Sequence, residues 1–393
     1  MGIEFQAADV EFLALDDEGF IYSAEMEMLV GLNRTATFIW RACTADRTLR
    51  EVIALTADEF DLPLDTADTF VKLAVVEWEN YGLLKDSYRG SNARLHLEDR
   101  PVDIQPPESP VFPAAETIFE TRCYAVLDMT FTVTCQTAAQ AERLHAVAGH
   151  LEIAVEAALS PITINILGED GAQEIFANGR LSERCDTLSE LAPLIHWLIF
   201  SSALLDDRFA LQLHTAAVAR EGHALLLSGP AGTGKSTLSA ALLDEGFGYL
   251  SDDTVVLDRH SFHVRGLPFS ICVKESGLAL LDGVASKKTL LHLRTDGRRV
   301  HYRHPAPGSL IVEPQAACWV AFPRYTPDAA GEIREITSAE ALRRLLDQSI
   351  APRHLSRQTA VGLISWAAQL QCCELDFPDT RSAIDAIQKF CSQ

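Results

Sequence analysis

The sequence predicts a three-part α/β chain: a winged-helix-like N-terminal module, a small α+β subdomain, and a C-terminal α/β domain built around a phosphate-binding loop. Three observations predict it. Residues 229–236 read G-x-x-x-x-G-K-[ST] between an apolar strand and an Ala/Leu-rich helical stretch. A proline-rich segment, residues 89–114, separates a short first part from a long second one. The first 88 residues run strands and then helices, on the scale of one small unit.

Within the first module, residues 10–15 and 20–22 flank Asp16-Asp17-Glu18-Gly19, a hairpin signal, and residues 26–32 can add a third strand. Helical patterns follow over 34–42, 49–60 and 65–81. The last sets Phe70, Leu73, Ala74, Trp78 and Tyr81 at helical spacing, and a short strand closes the unit at 83–85. Trp40 and Trp78 read as core. The linker holds Pro101, Pro106, Pro107, Pro110 and Pro113, which fit neither helix interiors nor central strands.

Residues 115–206 alternate in strand fashion at 123–127, 131–134, 162–167 and 174–177, with helical stretches at 138–150 and 188–205. No chemical motif occurs there, and His145, His150 and His196 read as structural histidines. The third part spans 207–393. Its tail alternates helices at 338–346 and 358–370 with a strand at 373–377 and a last helix from Thr380, elements expected to close the α/β domain.

The chemistry gathers at the loop. Its glycines let backbone N–H groups turn inward around phosphate oxygens, and the following helix aims its positive end at them. Gly229, Pro230, Ala231, Gly232, Thr233, Gly234, Lys235, Ser236 and Thr237 form the expected nucleotide cradle, with Lys235 on the β/γ-phosphates and Ser236 on Mg²⁺. A second strand beginning near Tyr249 carries Asp252-Asp253. One carboxylate of such a pair, Asp252 in the expected assignment, can serve the metal while its neighbour takes the proton of an attacking hydroxyl; the order is open at this stage. His214 lies just before the strand feeding the loop. It can orient a catalytic Asp, touch the γ-phosphate or bond within the core. Arg265, Lys274 and Glu275 are candidates for charge neutralisation or acceptor binding. Residues 287–304 are basic in an acidic chain, which suits a phosphate- or peptide-facing loop and equally a solvated hairpin face.

His214, Lys235, Ser236, Asp252 and Asp253 occupy the positions of the corresponding residues in the catalytic domain of HPr kinase/phosphorylase, which this stretch resembles. The likeness extends more weakly through Arg265-Gly266-Leu267, residues 268–275, Phe322-Pro323-Arg324-Tyr325 and residues 374–377, and covers about the last half of the chain. It implies ATP and Mg²⁺ as cofactors, a hydroxyl acceptor and a possible homo-oligomer through the kinase domain. His263 stands where that family has a carboxylate, and Pro268 where it has a glycine; both weaken the case for phosphorylase activity and for HPr as substrate.

Leu32-Asn33-x-Thr35-Ala36-x-x-Ile39-Trp40, then Arg47-Thr48-Leu49-x-Glu51-Val52, then Tyr81-Gly82-Leu83-Leu84, resemble the PqqD family of peptide-binding chaperones. The resemblance implies that the leader of a ribosomally made precursor peptide adds as a strand to the sheet. The groove would lie along Met26, Met28 and Leu29 and the helix face around Lys72, Val76 and Glu79. Together the two likenesses imply a serine kinase acting on that peptide. Phosphorylation of a small molecule such as an amino acid or sugar, and a nucleotide-driven chaperone without phosphotransfer, remain alternatives.

Composition bounds the partners. The formal net charge is -22, from 55 acidic against 33 basic residues, which disfavours nucleic acid and anionic lipid and favours a cationic peptide. The nine cysteines show no metal-binding spacing and suggest reduced thiols. Without a basic N-terminal region and apolar core, or an apolar stretch of about 18 residues, a cytoplasmic protein is expected.

Overall fold

The computed structural model describes residues 5–85, 118–157, 161–168, 171–204, 208–274, 290–294, 296–350 and 354–392, so the whole of the expected linker, 89–114, lies outside the described residues. The chain forms two compact units: residues 1–104 with 336–372, and residues 105–335 with 373–393.

In the first unit, β1 (Gln6–Ala7) precedes an antiparallel meander of β2 (Val10–Leu15), β3 (Glu18–Ser23) and β4 (Met28–Leu32). The β2–β3 turn forms at the expected place, with Asp16 at φ 53°. Helices α1 (Arg34–Cys43), α2 (Leu49–Glu59) and α3 (Leu64–Asn80) follow, and β5 (Leu84–Lys85) pairs back to β1. Local chemistry starts these helices. The Asn33 side chain accepts from the Ala36 N–H, and Thr48 and Glu51 form a reciprocal capping box, satisfying N–H groups the first turn leaves open. Ile21, Ile39, Trp40, Val52, Val71 and Trp78 fill the core, where the two indoles meet edge to face at 5.1 Å.

The second unit begins with β6 (Glu120–Val126), β7 (Met129–Cys135), α4 (Ala138–Ala148), β8 (Glu152–Ile153), β9 (Ile162–Leu167), β10 (Gln173–Ala177), β11 (Arg180–Cys185) and α5 (Leu188–Ala203). The sheet order is β11-β10-β9-β7-β6-β8, with β7 and β9 parallel. Strand β11 was not expected, because its exposed polar sequence lacks apolar alternation. The available signal was Asn178-Gly179, whose φ values of 49° and 77° make the tight turn that pairs β11 with β10.

The chain then runs β12 (Phe209–Leu213), β13 (Thr215–Arg220), β14 (His223–Ser228), α6 (Lys235–Asp244), β15 (Gly248–Ser251), β16 (Val255–Asp258), β17 (His263–Gly266), β18 (Ile271–Lys274), β19 (His292–Leu293), β20 (Arg299–Arg303), β21 (Gln315–Tyr325) and β22 (Ile333–Glu335). The large sheet runs β12-β16-β17-β21-β14-β13-β15, and β14, which pairs in parallel with β21, leads into the glycine-rich loop. Strands β18-β20-β19 form a separate small sheet.

Two helices come next, α7 (Ser338–Leu346) and α8 (Arg357–Ala367), before β23 (Gln371–Phe377) and α9 (Thr380–Phe390). Strand β23 joins the large sheet beside β21 and β22, and α6 and α9 share a core with Leu225, Leu238, Leu375 and Phe377. The helices at 338–346 and 357–367 form where expected but do not close the α/β domain. They belong to the first unit, with α7 against β3 and β4 and α8 against β2. Ala339, Leu342 and Leu345 are fully buried. Asp16 Oδ2 accepts from the Ala339 N–H at 3.0 Å at the start of α7, and the Tyr22 hydroxyl donates to Leu355 O at 3.0 Å. Arg357 forks onto Glu11, and Arg343 lies 3.5 Å from the nearly buried Glu18. Helical periodicity reveals that α7 has a face to bury, not which sheet it buries it on.

Candidate active site

Strand β14 delivers the chain into residues 229–236, and α6 begins at Lys235. Gly229, Gly232 and Gly234 have φ of 139°, 92° and 99°, a region that L side chains avoid. Gly234 is doubly required: a Cβ there would stand 3.0 Å from the Phe377 ring of β23. The loop therefore presents backbone and the positive start of α6 where side chains would otherwise stand. Lys235 is buried at 7% exposure, and its ammonium donates to Gly229 O and, at 3.0 Å, to Pro230 O. Burial lowers its pKa, the carboxylate of Asp253 opposes that, and Lys274 adds to the lowering. Ser236 and Thr237 follow in the first turn, both partly exposed.

The turn between β15 and β16 carries the two carboxylates, and the structure separates them. Asp252 is 5% exposed. Its Oδ2 accepts the Cys272 N–H at 2.8 Å, and its Oδ1 faces the Tyr249 hydroxyl at 3.2 Å. That hydroxyl has one hydrogen and a closer acceptor, Phe269 O at 2.7 Å, so Asp252 receives only a share of it. Burial first, and then the neighbouring charge of Asp253, push Asp252 up to about 7 against these hydrogen bonds. Asp253 is different. Its side chain is 47% exposed, and Oδ1 lies 3.2 Å from His214 Nδ1. Desolvation would raise it, but the His214 hydrogen bond and charge, followed by His196 and Arg294, bring its pKa below the ordinary aspartate value. One member of the pair is thus packed and weakly acidic; the other is open and held ionised.

His214 sits at the junction of β12 and β13, so the same sheet that carries the loop fixes the imidazole against Asp253. Lys274 ends β18, exposed and within electrostatic reach of Lys235. Arg265 is engaged elsewhere: its guanidinium is 2.6 Å from Asp128 on the β6–β7 turn, which also holds Arg208 at 3.1 Å. Glu275 lies outside the described residues. Sequence reading missed Tyr249, Cys272, His196 and Arg294. His196, on α5, is pushed down to about 4 by burial, with Asp253 opposing. Only the basic run at 287–304 pointed toward Arg294.

In the first unit, residues 18–84 match the family model described as coenzyme PQQ synthesis protein D (PqqD). The match covers β3, β4 and α1 to α3. No curated protein matches the chain. Among solved structures, TbiB1 in complex with the TbiA(beta) leader peptide is similar at 19% identity over 22% of this chain and 99% of that one, with a TM-score of 0.21. The Hpr(Ser) kinase/phosphatase from Coxiella burnetii is similar at 13% identity over 45% of this chain and 88% of that one, with a TM-score of 0.23.

Within this PqqD part, β4 pairs with β3 alone among the described strands, leaving an edge whose backbone groups can accept another strand. Met28 begins β4, and Met26, in the turn before it, is 52% exposed. Helix α3 turns Phe70, Leu73 and Val76 outward at 44%, 63% and 54% exposure, an apolar stripe at helical spacing. Lys72 is tied to Asp68 at 2.8 Å one turn away. No helix among the described residues is long and apolar enough to cross a membrane, and all nine cysteines are free thiols.

Proposed function

We propose that the chain is an ATP- and Mg²⁺-dependent kinase that phosphorylates a serine hydroxyl of a ribosomally made precursor peptide, with the peptide's leader bound by the PqqD part. The observation that carries this reading is the open, ionised Asp253, hydrogen-bonded to His214 and in the field of Lys235 at the head of the glycine-rich loop.

In this reading the loop N–H groups and the start of α6 bind the phosphates, and Lys235 exchanges its carbonyl partners for phosphate oxygens. Ser236 and Asp252 are the oxygen donors that would hold Mg²⁺, which would supply charge neutralisation for the phosphates when bound. The donors fit: both are hard oxygens, and the carboxylate that burial has made weakly acidic is the one a cation would keep ionised. Asp253 accepts the proton of the attacking hydroxyl. Its lowered pKa makes it a weak base, but phosphoryl transfer through a loose transition state asks for position more than basicity. His214 holds the carboxylate in place and can share the proton afterwards. The hydroxyl oxygen bonds to the γ-phosphorus as the β,γ-bridging bond breaks and ADP departs.

For the leader, the unpaired β4 edge offers main-chain hydrogen bonds, and the stripe of Phe70, Leu73 and Val76 offers apolar contact. The chain's net charge of -22 suits a basic peptide. The decisive test is intact-mass spectrometry of short peptides encoded near this gene after incubation with enzyme, ATP and Mg²⁺. One added phosphoryl group, absent with Asp253→Asn, is expected; ADP release without any peptide mass gain would overturn the reading.

A further inference from the structure

The strand that enters the glycine-rich loop has a neighbour on each side. On one side β13 runs antiparallel to β14 with Thr215 opposite Ser228, which sets His214 beside the start of the loop. Asp253, whose Oδ1 lies 3.2 Å from His214 Nδ1, stands on the same flank. The scheme above puts the γ-phosphate there. On the other side β21 runs parallel to β14, with Leu227 opposite Ala321. Both strands therefore reach the same edge of the sheet, and β21 continues past that level through Tyr325. A nucleotide carries its γ-phosphate and its base at opposite ends. With the phosphate end on the β13 flank, the base leaves across the β21 flank.

That flank ends in an aromatic pair. Phe377, the last residue of β23, is 5% exposed, and its ring would meet a Cβ on Gly234 at 3.0 Å. The Tyr325 ring stands 5.9 Å from the Phe377 ring at 67°. Beside it the Thr326 N–H donates to Phe377 O at 2.9 Å and fixes the end of β21. Tyr325 is thus one ring removed from the loop. Yet it is 56% exposed, so flat π surface is left uncovered at the rim of the phosphate cradle. The neighbouring charge is already taken up: Arg324 forks onto Asp376, with Nε on Oδ1 and Nη2 on Oδ2, both at 2.7 Å. A neutral, flat group fits such a rim better than another phosphate does.

We propose that Tyr325 is the shelf on which the base of the nucleotide stacks, and that it gives the site a preference for purines; this rests on the kinase reading above. Every base has a π face, so a tyrosine ring accepts any of them, but the gain grows with the area overlapped. A two-ring purine therefore gains more than a one-ring pyrimidine. Phe377 and the Thr326 hydrogen bond hold the shelf in place before the nucleotide arrives, which limits the ordering cost of stacking. The shelf works on binding alone, because His214 and Asp253 lie on the opposite flank of β14.

The test titrates the full chain with ATP, CTP and inorganic triphosphate, each with Mg²⁺, using wild type, Tyr325→Phe, Tyr325→Leu and, as a control, Phe119→Ala. Phe119 is also an exposed aromatic of this unit, at 53%, but it precedes β6 in the other sheet. Wild type is expected to bind ATP more tightly than CTP. Tyr325→Leu should weaken ATP on the order of tenfold, leave triphosphate within about twofold of wild type, and bring ATP and CTP within about twofold of each other. Tyr325→Phe keeps the ring and should match wild type, as should Phe119→Ala. A merely structural Tyr325, acting through Phe377 on Gly234, would weaken ATP and triphosphate together, which would overturn the proposal. So would a leucine variant that binds ATP like wild type, or a wild type that binds ATP and CTP alike. A wild type that binds neither ATP nor triphosphate would instead bring down the kinase reading itself.

Discussion

The unit that carries the glycine-rich loop and the unit that contains the PqqD match are assembled in opposite ways. The glycine-rich loop, Lys235 and the two aspartates fall within residues 229–253, and β14 and β15, flanking β13 in one sheet, carry them. The recognition unit takes its sheet and three helices from the first 85 residues but the helices that back its sheet from residues 338–367. The contrast reflects what each part must do. A phosphate cradle needs a particular backbone path, which a short run of glycines encodes. A three-stranded sheet has two faces and needs apolar cover on both, and any helix with a suitable stripe can provide it.

The largest effect expected from breaking this contrast is local. Asp253→Asn should lower peptide phosphorylation by about 10²–10⁴-fold while leaving ADP affinity within a few-fold, measured by initial rates and nucleotide titration. Leu342→Ala attacks the remote half. With its side chain fully buried, the change should cost about 2–5 kcal/mol in the recognition unit and weaken leader binding by fluorescence anisotropy. ADP affinity should be spared; if it falls equally, the two units are not energetically distinct. Removing residues 1–85 would be a poorer probe, since it would also strip α7 and α8 of the sheet they cover.

Asp252→Asn is a smaller perturbation with a definite sign. Between the ordinary aspartate range and about 7, the folded protein binds a proton that the unfolded chain has released, so stability falls as pH rises through that window and levels off above it. Asparagine removes this cost. It can still accept the Cys272 N–H and donate to the Tyr249 oxygen, whose own hydrogen then goes to Phe269 O. In Mg²⁺-free buffer the variant's stability relative to wild type should be greater at pH 8 than at pH 4 by up to about 4 kcal/mol, read from thermal unfolding. A constant difference across pH would contradict the buried, weakly acidic state. The smallest change is expected from Arg357→Ala, because its partner Glu11 is exposed and solvent screens the pair. At physiological salt the melting temperature should not move measurably.

Legibility followed the same division. The Asp16 turn, the capping box of Thr48 and Glu51, and the loop at 229–236 were readable because each is a local contest between backbone and nearby side chains. The elements that were expected form within a few residues of their expected places, from the first hairpin to α9, but β11 and the strands between β16 and α7 were not expected. The destination of α7 and α8 was not readable, because their buried stripes are equally compatible with either sheet. Nor was the division of labour between Asp252 and Asp253. It depends on Tyr249, Phe269 and Cys272 closing around one carboxylate and His214 reaching the other, relations set by strand pairing across gaps of up to 39 residues. Arg265 shows the converse: a cation in a promising sequence neighbourhood that the fold commits to Asp128.

The late return of α7 and α8 to the first sheet also sets a schedule for synthesis. On a ribosome adding about 5–20 residues per second, the meander would emerge on the order of 15–60 s before the helices that cover its far face. Throughout that interval Phe20 and its neighbours would have no permanent cover, which makes the nascent first unit a natural client for chaperones. The three-stranded sheet would gain its second face only after residue 367 has been made.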